Sequence, residues 1–263
     1  MNIYLGPAGT PAKSTIEGVP ALEELGLQAM EVQFSHGIGM SLTLAKQIGE
    51  ENKKYRKILS IHAPYYINLT SSDMAKVKAS KQRILDSCER GHLMGAGNIV
   101  FHPAYYGKQD KEEIYSAVKR EILDMMATIK KRKWNVNLAP ETTGKHTQFG
   151  TLDEIICLAK ETGCSFCIDF AHIYARNNGV IDYEEIFDKL SSFKNIHCHF
   201  SNINFSAKGE LNHLVLDHRP DFELLANEIL QRKHNVTIIS ESPVTWQDSL
   251  KMKAVFERLG YKF

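Results

Sequence analysis

The sequence predicts an α/β fold, a single (β/α)8 TIM barrel in which residues 1–263 form one domain. Three observations lead there. Short β-branched runs alternate with longer amphipathic stretches along the whole chain. Eight such runs recur at intervals of roughly 30–40 residues, and strand–helix alternation produces parallel strands joined by right-handed crossovers. No linker or low-complexity segment interrupts the pattern, and α/β barrels reach this length as one domain. A doubly wound open sheet would use fewer strands and often a glycine-rich phosphate loop after the first. Gly6-Pro7-Ala8-Gly9 is too short and too proline-interrupted for that loop.

The expected strands are residues 2–5, 29–34, 58–62, 98–102, 136–140, 165–169, 195–200 and 237–241. Helical periodicity runs between them, as in residues 75–94, 111–133, 152–162, 183–190 and 221–232. Thr151 followed by Glu154 reads as a capping box, and Asp182 as a helix N-cap. Apolar residues make up 43% and charged residues 24%, which excludes disordered and collagen-like chains. No stretch approaches the ~18 uncharged apolar residues of a membrane span, so no membrane partner is expected. The segment MNIYLGPAG lacks the features of a secretory signal. Five Cys (88, 157, 164, 167 and 198) are scattered through apolar segments, which predicts reduced core thiols in a cytoplasmic protein. Cys164 and Cys167 have CxxC spacing but no second pair, so a core role is expected of them. The formal net charge of +1 advertises no polyanion partner, although a local basic patch is compatible with it.

Chemistry gathers at the strand ends. The third to eighth strands finish in His62, His102, Glu141, Asp169, His199 and Glu241. Strand carboxyl ends form the mouth of a barrel, where its active sites lie. One His there usually reads as a hydrogen-bonded core residue, and one Glu as a cap or ion-pair partner. Six in succession are far harder to obtain by chance, and burying them together demands compensation. Three neutral imidazoles and three carboxylates total −3, which one divalent ion cannot balance, whereas two leave a single positive charge that a bridging hydroxide offsets. Mixed His and carboxylate ligands suit zinc, with manganese or iron as alternatives. His197 shares the inward face with His199 one layer deeper and reads as a supporting residue. His172, three residues after Asp169, and His213, in the loop after the seventh strand, outline a further metal position.

The segments His62-Ala-Pro-Tyr65-Tyr-Ile-Asn68-Leu, Phe101-His102-Pro103, Pro140-Glu141-Thr-Thr-Gly144, Cys167-Ile-Asp169-Phe-Ala-His172, His199-Phe-Ser-Asn202 and Glu241-Ser-Pro243 resemble the endonuclease IV family. That family comprises zinc-dependent apurinic/apyrimidinic (AP) endonucleases within a superfamily that also holds sugar isomerases and epimerases. The resemblance runs from the first strand to the last. It implies one zinc on His62 and His102, with Glu141 bridging to a second held by Asp169, His199 and Glu241. His172 and His213 would hold a third. It implies cleavage 5′ to abasic sites in damaged double-stranded DNA, with Glu141 as the catalytic carboxylate and Tyr65 beside the lesion. Lys145 and Arg176, with Lys208 and Arg219, are expected on phosphates, and the protein is expected to be a monomer.

Two positions depart from the family. Its Asp two residues before the equivalent of His213 is here Leu211, leaving Glu210, Asn212 or water as substitutes. Its Arg- and aromatic-rich loop after the second strand here reads Ser35-His-Gly-Ile-Gly-Met40. The rival expectation is a sugar isomerase or epimerase holding one metal on Glu141, Asp169, His199 and Glu241, the two Glu doubling as proton-transfer bases. That leaves His62, His102 and His172 unexplained.

Overall fold

The computed structural model describes residues 1–263. Its strands are β1 (Ile3–Pro7), β2 (Ala29–Gln33), β3 (Ile58–His62), β4 (Asn98–Phe101), β5 (Ala104–Tyr105), β6 (Asn137–Pro140), β7 (Gln148–Phe149), β8 (Ile168–Asp169), β9 (Asn195–Phe200), β10 (Asn202–Ser206), β11 (Gly209–Leu214) and β12 (Asn235–Ser240). Its helices are α1 (Thr15–Glu24), α2 (Leu42–Tyr55), α3 (Met74–Met94), α4 (Lys111–Arg132), α5 (Leu152–Thr162), α6 (Phe170–Arg176), α7 (Tyr183–Leu190), α8 (Phe222–Arg232) and α9 (Trp246–Arg258). All eight expected strands are present, as β1, β2, β3, β4, β6, β8, β9 and β12. None of the helices is long and apolar enough to cross a membrane.

The chain divides into two compact units. One comprises residues 1–31, 144–146 and 167–263 and holds the parallel sheet β1-β12-β9-β8. Its aromatic core is a chain of edge contacts, Phe200–Phe222 at 4.9 Å and Phe222–Phe256 at 5.6 Å between ring centroids. Each fully buried Phe contributes about 1.5–3 kcal/mol by leaving water. The other unit comprises residues 32–143 and 147–166. There β3, β4 and β6 pair in parallel, and Leu59, Ile61, Ile99 and Leu138 are buried with Ile84 of α3 and Ile122 of α4.

Local signals set the helix boundaries. Thr151 and Glu154 form the expected capping box on α5, and the Asp182 side chain accepts the Glu185 N–H at the start of α7. Asp73, Asp110 and Asp221 cap α3, α4 and α8 in the same way. Two expectations need correction. The segment after β9 is no loop: β10 and β11 pair antiparallel, and His213 stands on β11. Its inward residues Ile203 and Phe205 find apolar cover on Ala171, Tyr174 and Ala175 of α6, which stabilises strand over coil. The thiols are not all core either, since Cys157 lies on the exposed side of α5 while the other four are buried.

Candidate metal centre

In the unit built on β3, β4 and β6, the parallel register sets His62 beside Val100 and Phe101 beside Pro140. His62 therefore ends β3, His102 follows β4 by one residue and Glu141 follows β6 by one. Three neighbouring strands that stop abreast bring these side chains together. Glu141 is fully buried, and its Oε2 lies 3.2 Å from His62 Nε2 and 3.1 Å from His102 Nε2. His62 Nδ1 lies 2.8 Å from the Ala63 carbonyl, which accepts only, so Nδ1 carries a proton. In a neutral ring Nε2 is then an acceptor facing a carboxylate oxygen, an arrangement that either a proton on Nε2 or a bound cation would satisfy. His62, His102 and Glu141 each offer one ligand atom within 4.8 Å of the others, which fits a divalent ion. Tyr65 is exposed next to this group, its ring 5.7 Å from that of His62.

The unit built on β8, β9 and β12 carries the remaining ligand types. The register places Asp169 against His199 and Ile239 against His199, so β8 and β12 flank it. Glu241 follows β12 with its N–H on the Phe200 carbonyl at 3.1 Å. Asp169 is fully buried and has two tasks. Its Oδ1 accepts the His172 N–H at 2.7 Å and caps α6, while Oδ2 lies 3.5 Å from His172 Nδ1 and 3.9 Å from His199 Nδ1. Glu241 reaches His199 Nδ1 at 3.4 Å with one oxygen and His213 Nε2 at 3.7 Å with the other. The Nδ1 of His213 meets Ser201 Oγ at 2.7 Å, which turns its Nε2 toward Glu241. Ligand atoms of His172, His213 and Glu241 lie within 4.8 Å of one another.

Sequence reasoning missed Glu31. This residue of β2 is fully buried, with Oε1 3.0 Å from His199 Nε2 and Oε2 3.2 Å from His197 Nε2. Burial pushes its carboxyl toward neutrality, but the two imidazoles outweigh burial and hold it well below the usual carboxylate range. Glu31 thereby occupies His199 Nε2 and leaves Nδ1 turned to Asp169 and Glu241, as outer carboxylates do for metal-bound imidazoles. His197 takes the supporting place expected of it, on the far oxygen of Glu31. The available signal was a lone carboxylate inside the apolar run Ala29-Met-Glu31-Val.

Glu210 of β11, one of the substitutes left open at Leu211, comes to this group. Its Oε2 stands 3.0 Å from His172 Nε2 and accepts the Gly144 N–H at 3.1 Å. Lys145 is exposed with its Nζ 3.5 Å from Glu210 Oε1, and Arg176 donates to the Lys145 carbonyl at 2.8 Å. Arg219 pairs with Asp221 at 3.2 Å, and Lys208 is exposed at the hairpin turn. Cys164 and Cys167 are buried free thiols, and burial pushes Cys164 up to about 11. Cys167 offers its sulfur within 4.8 Å of ligand atoms of His197 and His199.

Residues 19–257 match the family model described as xylose isomerase-like TIM barrel. The uncharacterized protein MJ0133 of Methanocaldococcus jannaschii is 35% identical, over 98% of both chains. A probable endonuclease 4 of Aster yellows witches'-broom phytoplasma is 31% identical over 58% of this chain and 55% of its own length. In three dimensions, endonuclease IV from Thermus thermophilus superposes with a TM-score of 0.74 at 19% identity, over 98% of both chains. A D-tagatose 3-epimerase-like protein superposes at 0.70 and 17% identity, over 98% of this chain and 96% of that one. Parallel strands alternating with helices, candidate metal-ligand types at the strand ends and the near full-length family match agree: this chain belongs to the xylose isomerase-like TIM barrel family.

Proposed function

We propose that this protein is a metal-dependent AP endonuclease of the endonuclease IV kind, hydrolysing the phosphodiester 5′ to abasic sites in double-stranded DNA. One observation carries the reading. His62, His102 and Glu141 form a ligand group of their own, and a one-metal isomerase has no use for its two histidines. The carboxyl ends of barrel strands share one face. On that ground His62, His102 and Glu141 would hold one ion, Asp169, His199 and Glu241 a second, and His172 and His213 a third. Zinc suits the mixed nitrogen and oxygen donors, and Mn2+ or Fe2+ would be accepted by the same set. When bound, such ions lower the pKa of water and neutralise charge on a phosphodiester.

The chain's own residues supply the rest. His62 is held in one tautomer by the Ala63 carbonyl and His199 by Glu31, so both rings are oriented beforehand. Tyr65 presents an exposed ring where a nucleotide without its base leaves a gap in the stack. Lys145 and Arg176 would meet backbone phosphates, which position a duplex without reading sequence. A single-domain, monomeric, cytoplasmic enzyme completes the reading.

The fold likeness to an epimerase supports a second reading, one ion on Glu141, Asp169, His199 and Glu241 acting on a ketose. Metal analysis of protein purified without chelator separates the two, at one ion for the epimerase and two or three for the nuclease. The functional test is metal-dependent incision of a duplex carrying one abasic site, with the intact duplex as control. Untouched abasic DNA together with epimerisation of a ketose would overturn the proposal.

A further inference from the structure

We infer that Glu210, carried inward by a one-residue bulge at Leu211, is the carboxylate ligand of a metal site completed by His172 and His213. The inference rests on the metal-dependent reading above, but not on the identity of the substrate.

The hairpin register carries the argument. His213 pairs with Ile203 and Asn212 with Asn204, but the next pair is Glu210 with Phe205. Leu211 is therefore the extra residue of a β-bulge. Residues opposite each other in a ladder share a face, and alternate residues of one strand do too. Ile203 and Phe205 lie on the face that packs on Ala171, Tyr174 and Ala175 of α6. His213 and Glu210, their partners, lie on that face as well. Without the bulge, Glu210 and His213 would stand on opposite faces, and Leu211 would share the inner one with His213. Exposure agrees with the bulged register. Leu211 is 63% exposed, Asn204 and Asn212 are exposed, and the Glu210 side chain is only 14% exposed.

Helix α6 brings His172 to the same place. Its Nε2 stands 3.0 Å from Glu210 Oε2, close to the roughly 3.3 Å that separates two ligands of a tetrahedral zinc. The rings of His172 and His213 are 5.4 Å apart between centroids. Glu210 is itself held in place. Gly144 donates its N–H to the carboxylate, and its carbonyl accepts the Glu210 N–H at 3.2 Å. Two glycines make this closeness sterically allowed. A Cβ on Gly144 would lie 2.2 Å from Glu210 Oε2, and one on Gly209, at φ +103°, would lie 2.2 Å from the Gly144 carbonyl oxygen. The arrangement suits a divalent cation that accepts two imidazoles and a carboxylate, zinc above all.

The test is metal stoichiometry and affinity, measured by elemental analysis and zinc titration of the full chain, with circular dichroism as the folding control. Glu210→Gln keeps the volume and a carbonyl for the Gly144 N–H but removes the charge. It should bind one ion fewer per chain, or bind that ion at least ~100-fold more weakly, since losing a ligand costs more than losing an outer partner. Deleting Leu211 removes the bulge and leaves Glu210 two positions before His213, on its face, so the ion should be retained. Unchanged stoichiometry and affinity in Glu210→Gln would overturn the assignment, showing that Glu210 only hydrogen-bonds His172. So would loss of the ion on deleting Leu211 from a chain that still folds, or a wild-type protein that loses no ion on His213→Ala. A protein that needs Glu210 for this ion yet leaves abasic DNA intact keeps the assignment and sinks the nuclease reading instead.

Discussion

The two ligand groups are held by different means. In the group on β3, β4 and β6, His62 terminates a strand, its ring is fixed by the carbonyl of the next residue, and Glu141 and His102 follow neighbouring strands in register. The group on β8, β9 and β12 is held from outside the strand ends. Glu31 orients His199, Glu210 meets His172, Ser201 turns His213, and α6 and a bulged hairpin supply two of the imidazoles. The first arrangement draws on the ends of three strands paired in parallel. The second depends on partners distant in sequence, so single changes far from the ligands should damage it selectively.

The largest effect is expected where that distinction does not protect. Glu141→Gln removes the one charge shared by His62 and His102, and cleavage of a duplex with one abasic site should fall by well over ~100-fold while circular dichroism stays native. Near-normal turnover would rule out a bridging carboxylate. Next comes Glu31→Gln, which leaves every proposed ligand in place. Zinc affinity of the group containing His199 should fall about 10–100-fold, with the ion on His62 and His102 unaffected. Equal weakening at both groups would erase the contrast drawn above.

A backbone change should sharpen it further. Gly209→Ala forces a side chain into φ +103° and onto the Gly144 carbonyl, at a cost of about 1–3 kcal/mol, and should release the ion on His172 and His213 alone. Thermal melts and zinc counts read both. The smallest effect is expected of Leu211→Asp. By the family resemblance it looks like the repair of a lost ligand, but on an exposed bulge the new carboxylate meets solvent. Stability should change by no more than about 0.5 kcal/mol and the metal count not at all. A gain of an ion would show that the bulge is not held.

How legible each group was follows the same division. His62, His102, Glu141, Asp169, His199 and Glu241 could be named because a strand's end is marked locally, by a β-branched run giving way to a turn. Parallel pairing then aligns those ends whatever the intervening helices contain. Glu31 was invisible as a site residue because its role is defined by two imidazoles more than 160 residues away, at 166 residues for His197. A carboxylate in an apolar strand is otherwise indistinguishable from an ion-pair partner.

The alternation of strands and helices, their caps and the residue types at the strand ends were determined by the sequence itself, since periodicity, capping and strand termination are properties of neighbouring residues. Tertiary structure alone decided which side chains hold the ligands in place. It also decided that Glu210 rather than Leu211 faces His172. Strand parity counts residues along one chain, and a single residue bulged out against its partner strand reverses the count. Only the pairing of β10 with β11, and the apolar face of α6 on which they rest, settles where that reversal falls.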